Sequence, residues 1–262
     1  MMRALYTAAT GMIAQQYNMD TISNNLANIN TTGFKGNQAR FQDLIYETLR
    51  APGSPVGASV VPTGQDIGLG VKIASSEKTF TQGSLQQTNN PLDMAIEGDG
   101  FFQVTMPDGT SAYTRDGSFN RDANGTMVTS DGYMLSPQIT IPQNATQVSI
   151  GSDGTVTALI PGSQLPQTLG QITLVRFTNA AGLSPNGKNL FTQTAASGAP
   201  VISQPGINGA GTLQQGFLEN SNVQVVNEIV NMIVAQRAYE ANSKSIATSD
   251  QMLSSALAMV QG

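Results

Sequence analysis

The sequence contains neither cysteine nor histidine, and it has few basic residues. These absences exclude zinc sites built on Cys and His, haem ligation by His, cysteine nucleophiles and the Ser-His-Asp triad. With only 12 Lys and Arg residues and a net charge of −5, the chain lacks the positive face that nucleic-acid binding requires. We therefore expect no nucleic-acid partner and no cofactor.

Long apolar runs are also missing. No run reaches the roughly 18 residues of a transmembrane helix, so we expect no direct membrane insertion. The first twenty residues are interrupted by Gly11, Gln15 and Gln16, unlike the continuous apolar core of a cleaved signal peptide. The lack of Cys fits a protein that crosses an oxidising compartment unfolded, because no stray disulfides can form.

Charge of either sign is scarce, since charged residues make up 11% of the 262 residues against roughly 25% in an ordinary soluble protein. Uncharged polar residues take their place and make up about a third of the chain. Unpaired charges would repel identical neighbours, whereas Ser, Thr, Asn and Gln can form hydrogen bonds without that cost. The composition therefore favours a subunit that is surrounded by copies of itself.

The N-terminal residues follow the heptad spacing of a coiled-coil helix over about 25 residues. The apolar seam consists of Leu5, Ala8, Met12, Met19, Ile22, Leu26 and Ile29. We expect the helix to stop at Thr31-Thr32-Gly33, where the glycine can supply a left-handed cap.

The C-terminal residues repeat this spacing over nearly 40 residues. The second seam consists of Val225, Ile229, Met232, Gln236, Tyr239, Ser243, Ile246, Asp250, Leu253, Leu257 and Val260. Before it, Ser221 and Gln224 have the spacing of a capping box. The start of this helix is apolar around much of its circumference, which is typical of a helix that is buried on several sides.

Two stretches rich in Pro and Gly, at 51–70 and 195–212, separate the ends of the chain from its middle. The middle contains repeated Asp-Gly and Asn-Gly pairs, which favour tight hairpin turns. The strand-like runs between them are 101–105, 126–129, 155–160 and 172–177. These patterns predict an α+β protein in which long terminal helices form a coiled-coil domain and the centre is an antiparallel β-rich sandwich or irregular barrel.

The predicted organisation is discontinuous. Residues 1–32 and 222–262 form the helical domain, 33–70 and 195–221 form an extended β connector, and 71–194 form the central β-domain. Within that domain, 120–131 partly resembles a calcium loop, but the strand-like flanks favour a hairpin with an Asn-Gly turn. No pattern singles out a catalytic or metal-binding residue, so we expect no enzyme activity.

Three segments resemble the bacterial flagellar rod and hook axial proteins. Residues 23–35 (SNNLANINTTGFK) resemble their N-terminal signature, and 222–223 together with 228–242 (EIVNMIVAQRAYEAN) resemble their C-terminal signature. Residues 90–102 (NPLDMAIEGDGFF) resemble the start of their β-domain. The length and the Pro/Gly-rich stretch from Tyr46 to Gly70 are most similar to the distal-rod members of this family.

The resemblance implies a structural subunit that polymerises helically into a rigid hollow shaft, transmits motor torque to the hook and serves as an export channel. It implies as partners other copies of the chain, proximal rod proteins below, hook protein above, the surrounding peptidoglycan and outer-membrane rings, and the flagellar type III export apparatus. The rod would cross the periplasm to the outer membrane, and its subunits would be exported without a cleaved signal peptide.

On this basis we expect the helix seams to make the contacts between subunits, with additional polar contacts that fix the register. The assembly residues expected are Leu5, Met12, Met19, Asn24, Asn25, Leu26, Asn28, Ile229, Met232, Gln236, Arg237, Tyr239 and Leu253. Two alternatives remain open from the sequence: a proximal rod subunit of the same family, and a secreted β-rich adhesin whose heptads merely oligomerise it.

Overall fold

A computed structural model describes residues 2–53, 55–56, 59–60, 62–162 and 165–261. The chain begins and ends with a long helix, α1 (Met2–Ala27) and α2 (Val225–Gln261), and the region between them is rich in β-strands. The predicted α+β class is thereby confirmed. Contacts within the chain define two compact units: Met1–Ala27, Asn37–Glu77 and Gln224–Gly262 form the first, and Asn28–Gly36 and Lys78–Val223 form the second. The division predicted from the sequence, into a helical domain, a β connector and a central β-domain, stays a prediction.

In the first unit α1 packs against both α2 and a β-strand. The strands that follow α1 are β1 (Asn37–Asp43), β2 (Tyr46–Arg50), β3 (Pro55–Val56), β4 (Ser59–Val60), β5 (Gln65–Gly68) and β6 (Val71–Lys78). They form three two-stranded pairs: β1 with β6, β2 with β5, and β3 with β4. The predicted connector 33–70 also includes Ser54, Gly57, Ala58 and Val61, which lie outside the described residues.

Helix α1 ends earlier than predicted. Its last helical residue is Ala27, so Ile29, which the seam included, lies in a turn rather than in the helix. Asparagine disfavours helix interiors because its side chain competes for backbone hydrogen bonds. Near the helix end, the side-chain amide of Asn25 exchanges two 2.8 Å hydrogen bonds with the backbone of Asn37 and so ties the end of α1 to the start of β1. Gly33 does adopt a left-handed φ of 67°, but six residues beyond the helix end.

The predicted capping box before α2 is not formed. The hydroxyl of Ser221 accepts a 3.3 Å hydrogen bond from the backbone N–H of Val223, which is a short local turn rather than a helix cap. Helix α2 begins at Val225, and Gln224 supplies the first carbonyl, which accepts from the N–H of Glu228 at 3.0 Å.

The second unit holds sixteen described strands and a short 3₁₀ helix at Ala180–Gly182. The strands are β7 (Leu85–Gln87), β8 (Met94–Glu97), β9 (Phe101–Thr105), β10 (Ser111–Thr114), β11 (Phe119–Arg121), β12 (Met127–Thr129), β13 (Met134–Ser136), β14 (Gln147–Ile150), β15 (Thr155–Leu159), β16 (Gln167–Gln171), β17 (Leu174–Arg176), β18 (Ser184–Pro185), β19 (Leu190–Thr192), β20 (Val201–Ser203), β21 (Thr212–Gln215) and β22 (Phe217–Glu219).

Strand β9 organises this unit. It pairs antiparallel with β10 on one side and with β13 and then β17 on the other, and the resulting nine-stranded sheet runs β11-β12-β13-β9-β10-β19-β18, with β17 carrying β20. Strands β14, β15 and β16 form a second sheet, while β8 pairs with β21 and β7 with β22. The core lies between them and is built on fully buried apolar side chains such as Phe102, Phe119 and Leu174.

The dipeptide turns explain much of this topology. Gly109, Gly125, Gly132, Gly154 and Gly187 all have positive φ and each follows Asp or Asn in a turn between consecutive paired strands. Asp99-Gly100 and Asp116-Gly117, which were also expected to form hairpin turns, do not close hairpins. They precede β9 and β11, whose paired partners lie elsewhere in the sequence.

Candidate assembly surface

The two helices of the first unit contact each other through small residues. On α1 the buried residues include Ala8 and Ala14, and on α2 Ala235 and Ser249. A Cβ atom added at Gly11 would lie 2.8 Å from Nδ2 of Asn242, so the side chain of Asn242 on α2 packs directly against this glycine of α1. Small side chains on facing helices permit this close approach but bury little apolar surface. The larger apolar side chains of α2 therefore lie mostly elsewhere on its circumference.

The inward face of α2 is offset by one residue from much of the predicted seam. The less exposed positions are Glu228, Met232, Ala235, Ala238, Asn242, Ile246, Ser249, Leu253 and Ala256. Met232, Ile246 and Leu253 belong to both sets. Of the predicted assembly residues, Ile229, Gln236, Arg237 and Tyr239 are exposed in the single chain. The side chain of Val260, which closed the predicted seam, lies outside the described residues.

On α1 the predicted residues occupy several environments. Leu5, Met12, Met19 and Leu26 are half-buried, Asn24 is exposed, and Asn25 is buried. Asn28 follows the helix in the second unit, where its side-chain oxygen accepts from Thr31 at 3.2 Å.

Asn25 and Arg237 already have partners within the chain. Besides its bonds to Asn37, Asn25 hydrogen-bonds Glu228, which opposes the rise in the pKa of Glu228 that burial causes. Arg237 donates a 3.0 Å hydrogen bond to Glu240, three residues further along α2, and both side chains of this ion pair are exposed.

An apolar surface remains exposed along the first half of α2. Val226 is 74% exposed, Val230 52%, Ile233 51% and Val234 62%. Val225 and Ile229 extend this surface, which we call the α2 apolar face. Contiguous exposed apolar residues of this kind mark surfaces that other protein covers.

Two further surfaces of the first unit are open. A groove of about 940 Å³ lies between the start of α1 and the second half of α2. Its walls are mostly Ala, Ser and Thr, with Ile67 and Met252 as the larger apolar residues and Arg3, Asn242 and Lys244 as the larger polar ones. On and beside the strands that follow α1, Phe41, Ile45, Tyr46 and Leu49 are exposed. An ion pair of 2.8 Å between Arg3 and Glu47 joins α1 to β2, but both side chains are exposed and contribute little stability.

The second unit contains a charged cluster that sequence patterns did not reveal. Lys35 donates to Glu219 at 2.6 Å and to the backbone carbonyl of Thr81 at 2.8 Å, and Arg115 contacts the other Glu219 oxygen at 3.3 Å. All three side chains are at most 2% exposed. Burial lowers the pKa of both Lys35 and Arg115, and the charge of Glu219 opposes that effect. Only the position of Lys35 in the N-terminal signature hinted at a role.

The calcium-loop resemblance has a structural explanation. Residues 119–129 form the β11–β12 hairpin, and one carboxylate oxygen of Asp122 accepts hydrogen bonds from the backbone N–H groups of Asn124 at 2.9 Å and Thr126 at 2.7 Å. This is an Asx-type turn. Within the described ranges no cluster of three or more acidic residues could hold a metal ion.

No helix in the part of the chain that the structure describes is long and apolar enough to cross a membrane.

Comparison with known proteins gives consistent matches along the whole chain. Residues 5–35 match the family model "Flagella basal body rod protein", 95–158 match "Flagellar hook protein FlgE/F/G D1 domain", and 214–259 match "Flagellar basal body rod FlgEFG protein C-terminal". The chain is 54% identical to the flagellar basal-body rod protein FlgG of Borreliella burgdorferi, over 97% of both chains. It is 51% identical to FlgG of Agrobacterium fabrum, again over 97% of both. FlgF of Caulobacter vibrioides is 34% identical, over 97% of this chain and 96% of the relative.

Proposed function

The chain belongs to the flagellar basal-body rod protein family, and from this membership we propose that its copies stack through the α2 apolar face into a helical, hollow shaft. Members of this family are structural subunits of the flagellar rod, not enzymes, and this chain is most like FlgG. The shaft would transmit motor torque to the hook and provide the channel through which later subunits are exported.

The observation that carries this proposal is the exposure of the α2 apolar face. Fully covering a Val or Ile side chain contributes about 1.5–3 kcal/mol relative to leaving it in water. Val226, Val230 and Val234 recur every four residues, so they form one ridge along the helix. A ridge of this kind fits a groove between neighbouring helices. The groove between α1 and α2, with its small side chains, supplies such a surface on every copy.

The α2 apolar face and the groove between α1 and α2 are different surfaces, and this difference determines how copies would assemble. A ridge on one copy and a groove on the next make a head-to-tail contact, and contacts of this type produce helical polymers rather than closed dimers when the rotation does not close. The low charge of the chain keeps repulsion between identical neighbours small. The predicted coiled coil would then form between helices of different copies as well as within one.

We assign the predicted residues to this arrangement according to their exposure. Ile229, Gln236 and Tyr239 face away from the intramolecular contact and would meet neighbouring copies. Met232 and Leu253 are half-buried on the inward face and would hold α2 in register with α1. Asn25 already bonds within the chain, so its contribution to assembly would be to position the end of α1.

We propose the distal part of the rod as the location, because the relatives at 50–54% identity are named FlgG over nearly their full length. The neighbours in this position would be proximal rod proteins at one end and hook protein at the other, with the peptidoglycan and outer-membrane rings around the shaft. Delivery would be through the flagellar type III export apparatus across the periplasm, without removal of a signal peptide.

A charge on the α2 apolar face tests the proposal. Met232→Asp, which the seam pattern alone suggests, would also disturb the contact with α1, so Val230→Asp is the sharper variant. Val230→Thr has nearly the same shape and no charge, and it serves as the matched control. Electron microscopy of concentrated protein should show tubes for the unchanged chain and for Val230→Thr, and none for Val230→Asp with an unchanged circular dichroism spectrum. Tubes of Val230→Asp, or discrete oligomers of the unchanged chain, would contradict the proposal.

A further inference from the structure

A small cavity in the second unit combines aromatic walls with two arginines. Its volume is about 240 Å³, and its lining includes Phe80, Asp99, Phe101, Arg115, Arg176 and Phe177. The rings of Phe80 and Phe101 lie 5.4 Å apart, and those of Phe101 and Phe177 5.9 Å apart, both edge to face. Edge-to-face contact is a preferred arrangement of aromatic rings, and these contacts form one wall of the cavity beside β9 and β17.

Arg115 has one donor that the protein leaves unused. Its two terminal nitrogens donate to Glu219 at 3.3 Å and to the carbonyl of Gly98 at 2.8 Å, but its buried Nε finds no acceptor among the described residues. The guanidinium carbon lies 5.5 Å from the centre of the Phe101 ring. A buried donor without an acceptor is costly, so a bound molecule that supplied an acceptor here would be stabilised by the hydrogen bond it completes.

The charges around the cavity do not balance. Lys35 and Arg115 share the single carboxylate of Glu219, and Arg176 has no carboxylate within ion-pair distance in the described chain. One Arg176 nitrogen donates to the backbone carbonyl of Asn208 instead. Asp99, at the exposed rim, supplies a second negative charge. The cavity lining therefore carries two cations, Arg115 and Arg176, and one anion, Asp99, which leaves one positive charge that a bound monoanion would neutralise.

We propose that this cavity binds a carboxylate monoanion carried on a small flat apolar group. One carboxylate oxygen would accept a hydrogen bond from Arg176, and the carboxylate would also offer an acceptor to the buried Nε–H of Arg115. The apolar group would pack against the edges of Phe101 and Phe177. Asp99 would repel a second negative charge and thereby select monoanions over dianions. Two sources have this chemistry, a free aromatic acid and the C-terminal carboxylate of a peptide that ends in an aromatic residue.

The binding can be measured on the full-length monomer, so it is independent of the proposed assembly. Benzoate represents the free acid, N-acetyl-phenylalanine represents the peptide terminus, and benzamide is the neutral analogue. We expect calorimetric titration to give a Kd on the order of 1 mM for at least one acid. The Nε–H signal of Arg115 in the nitrogen-15 NMR spectrum should shift on binding. The acid that binds more tightly identifies the source.

Arg176→Gln tests the cavity directly, because Arg176 lines it. The substitution leaves the buried cluster of Lys35, Arg115 and Glu219 intact. Loss of a charged hydrogen-bond donor should weaken binding of the acid by about tenfold or more. Arg121→Gln, an exposed arginine on β11 outside the cavity, is the matched control and should leave the affinity unchanged. The proposal is overturned if benzamide binds as well as benzoate, if Arg176→Gln binds like the unchanged chain, or if neither acid binds.

Discussion

Lys35 donates a 2.6 Å hydrogen bond to Glu219 across 184 residues of sequence, and both side chains are completely buried. The same Glu219 oxygen accepts from the backbone N–H of Gly83 at 2.9 Å, and the backbone carbonyl of Glu219 accepts from Gly33 at 2.8 Å. Within the second unit, Glu219 thus connects the segment that follows α1 with the segment that precedes α2. Its carboxylate is also the only ion-pair partner of Lys35 and Arg115 in the described residues.

Removing the charge of Glu219 should therefore destabilise the second unit strongly. Glu219→Gln leaves two buried cations without an anion, and breaking a buried pair in this way costs about 3–5 kcal/mol. Urea denaturation followed by circular dichroism measures the loss. Glu77→Gln removes the partner of Arg40 from an exposed pair and should cost less than about 1 kcal/mol. Equal effects of the two substitutions would show that the buried cluster does not stabilise the fold.

Gly117 is a second position at which a small change should have a large effect. A Cβ atom there would lie 1.6 Å from the backbone carbonyl oxygen of Met94, an approach that no side-chain movement can relieve. The carbonyl of Gly117 also accepts from the N–H groups of Met94 and Phe119, both at 3.0 Å, so the two segments cannot separate without losing hydrogen bonds. We expect Gly117→Ala to cost more than about 3 kcal/mol of unfolding free energy.

The control for Gly117 is Gly109→Ala. Gly109 has a φ of 81°, but a Cβ atom there would contact nothing within 4 Å. The strain of a left-handed alanine should cost only about 1–2 kcal/mol. The same urea titration compares the two variants, and a loss for Gly117→Ala no larger than for Gly109→Ala would contradict the expected clash.

Asp116 should make the stability depend on pH. Burial raises its pKa, although its carboxylate accepts from the N–H of Ser118 at 3.0 Å and from the Ser118 hydroxyl at 2.7 Å. Between the ordinary pKa of Asp and the raised value, the folded protein keeps a proton that the unfolded chain has lost. The contribution of Asp116 to stability is therefore largest at low pH and declines as the pH rises through this window.

Asp116→Asn removes this dependence and keeps a side-chain oxygen as acceptor. The variant should gain stability relative to the unchanged chain as the pH is raised from about 4 towards neutrality. Asp153→Asn is the control of opposite sign, because hydrogen bonds from Thr155 lower the pKa of the exposed Asp153. The contribution of Asp153 is present above the ordinary pKa of Asp and is lost as the pH falls. Thermal unfolding from pH 3 to 7 measures both, and parallel curves for Asp116→Asn and the unchanged chain would refute the prediction.

These features differ in how far the sequence could predict them. Helix content follows from local periodicity, and the strands at 101–105 and 155–159 lie within the strand-like runs predicted between the turn dipeptides, at 101–105 and 155–160. The turns at Gly109 and Gly125 follow from Asp-Gly and Asn-Gly pairs because those residues tolerate positive φ. Asp116-Gly117 has the same composition, yet its glycine is required by the close approach of Met94. A dipeptide carries no information about such a distant neighbour.

The candidate assembly surface was predictable only in outline. The heptad pattern of α2 is apolar on several faces, and the large side chains suggested a seam through Ile229 and Tyr239. The chain instead buries small residues of α2, Ala235 and Ser249, and packs the Asn242 side chain against Gly11 of α1. The cluster of Lys35, Arg115 and Glu219 was not predictable, since single charged residues so far apart in sequence form no local pattern.

The segment from Tyr46 to Gly70 gives the last prediction, which concerns the stiffness of the proposed polymer. Its strands β2 and β5 pair antiparallel from Tyr46 with Gly68 to Arg50 with Gln65. Exposed apolar side chains at Ile45, Tyr46 and Leu49 are available to wedge between neighbouring copies. The N–H of Leu44 donates to the carbonyl of Gly70 at 2.8 Å, so the ends of the segment lie close together and the chain can be rejoined without it.

Replacing residues 46–70 by two glycines should therefore leave polymerisation possible but make the polymer more flexible, because contacts that resist sliding between copies are lost. The persistence length, measured from the curvature of tubes in electron micrographs, should fall. The variant Leu49→Ser keeps the length of the chain and removes apolar surface only from within the segment. An intermediate persistence length for this variant would assign the stiffness to apolar contacts, because the hairpin itself is retained. Unchanged bending of the polymer without residues 46–70 would mean that the helices alone make the shaft rigid.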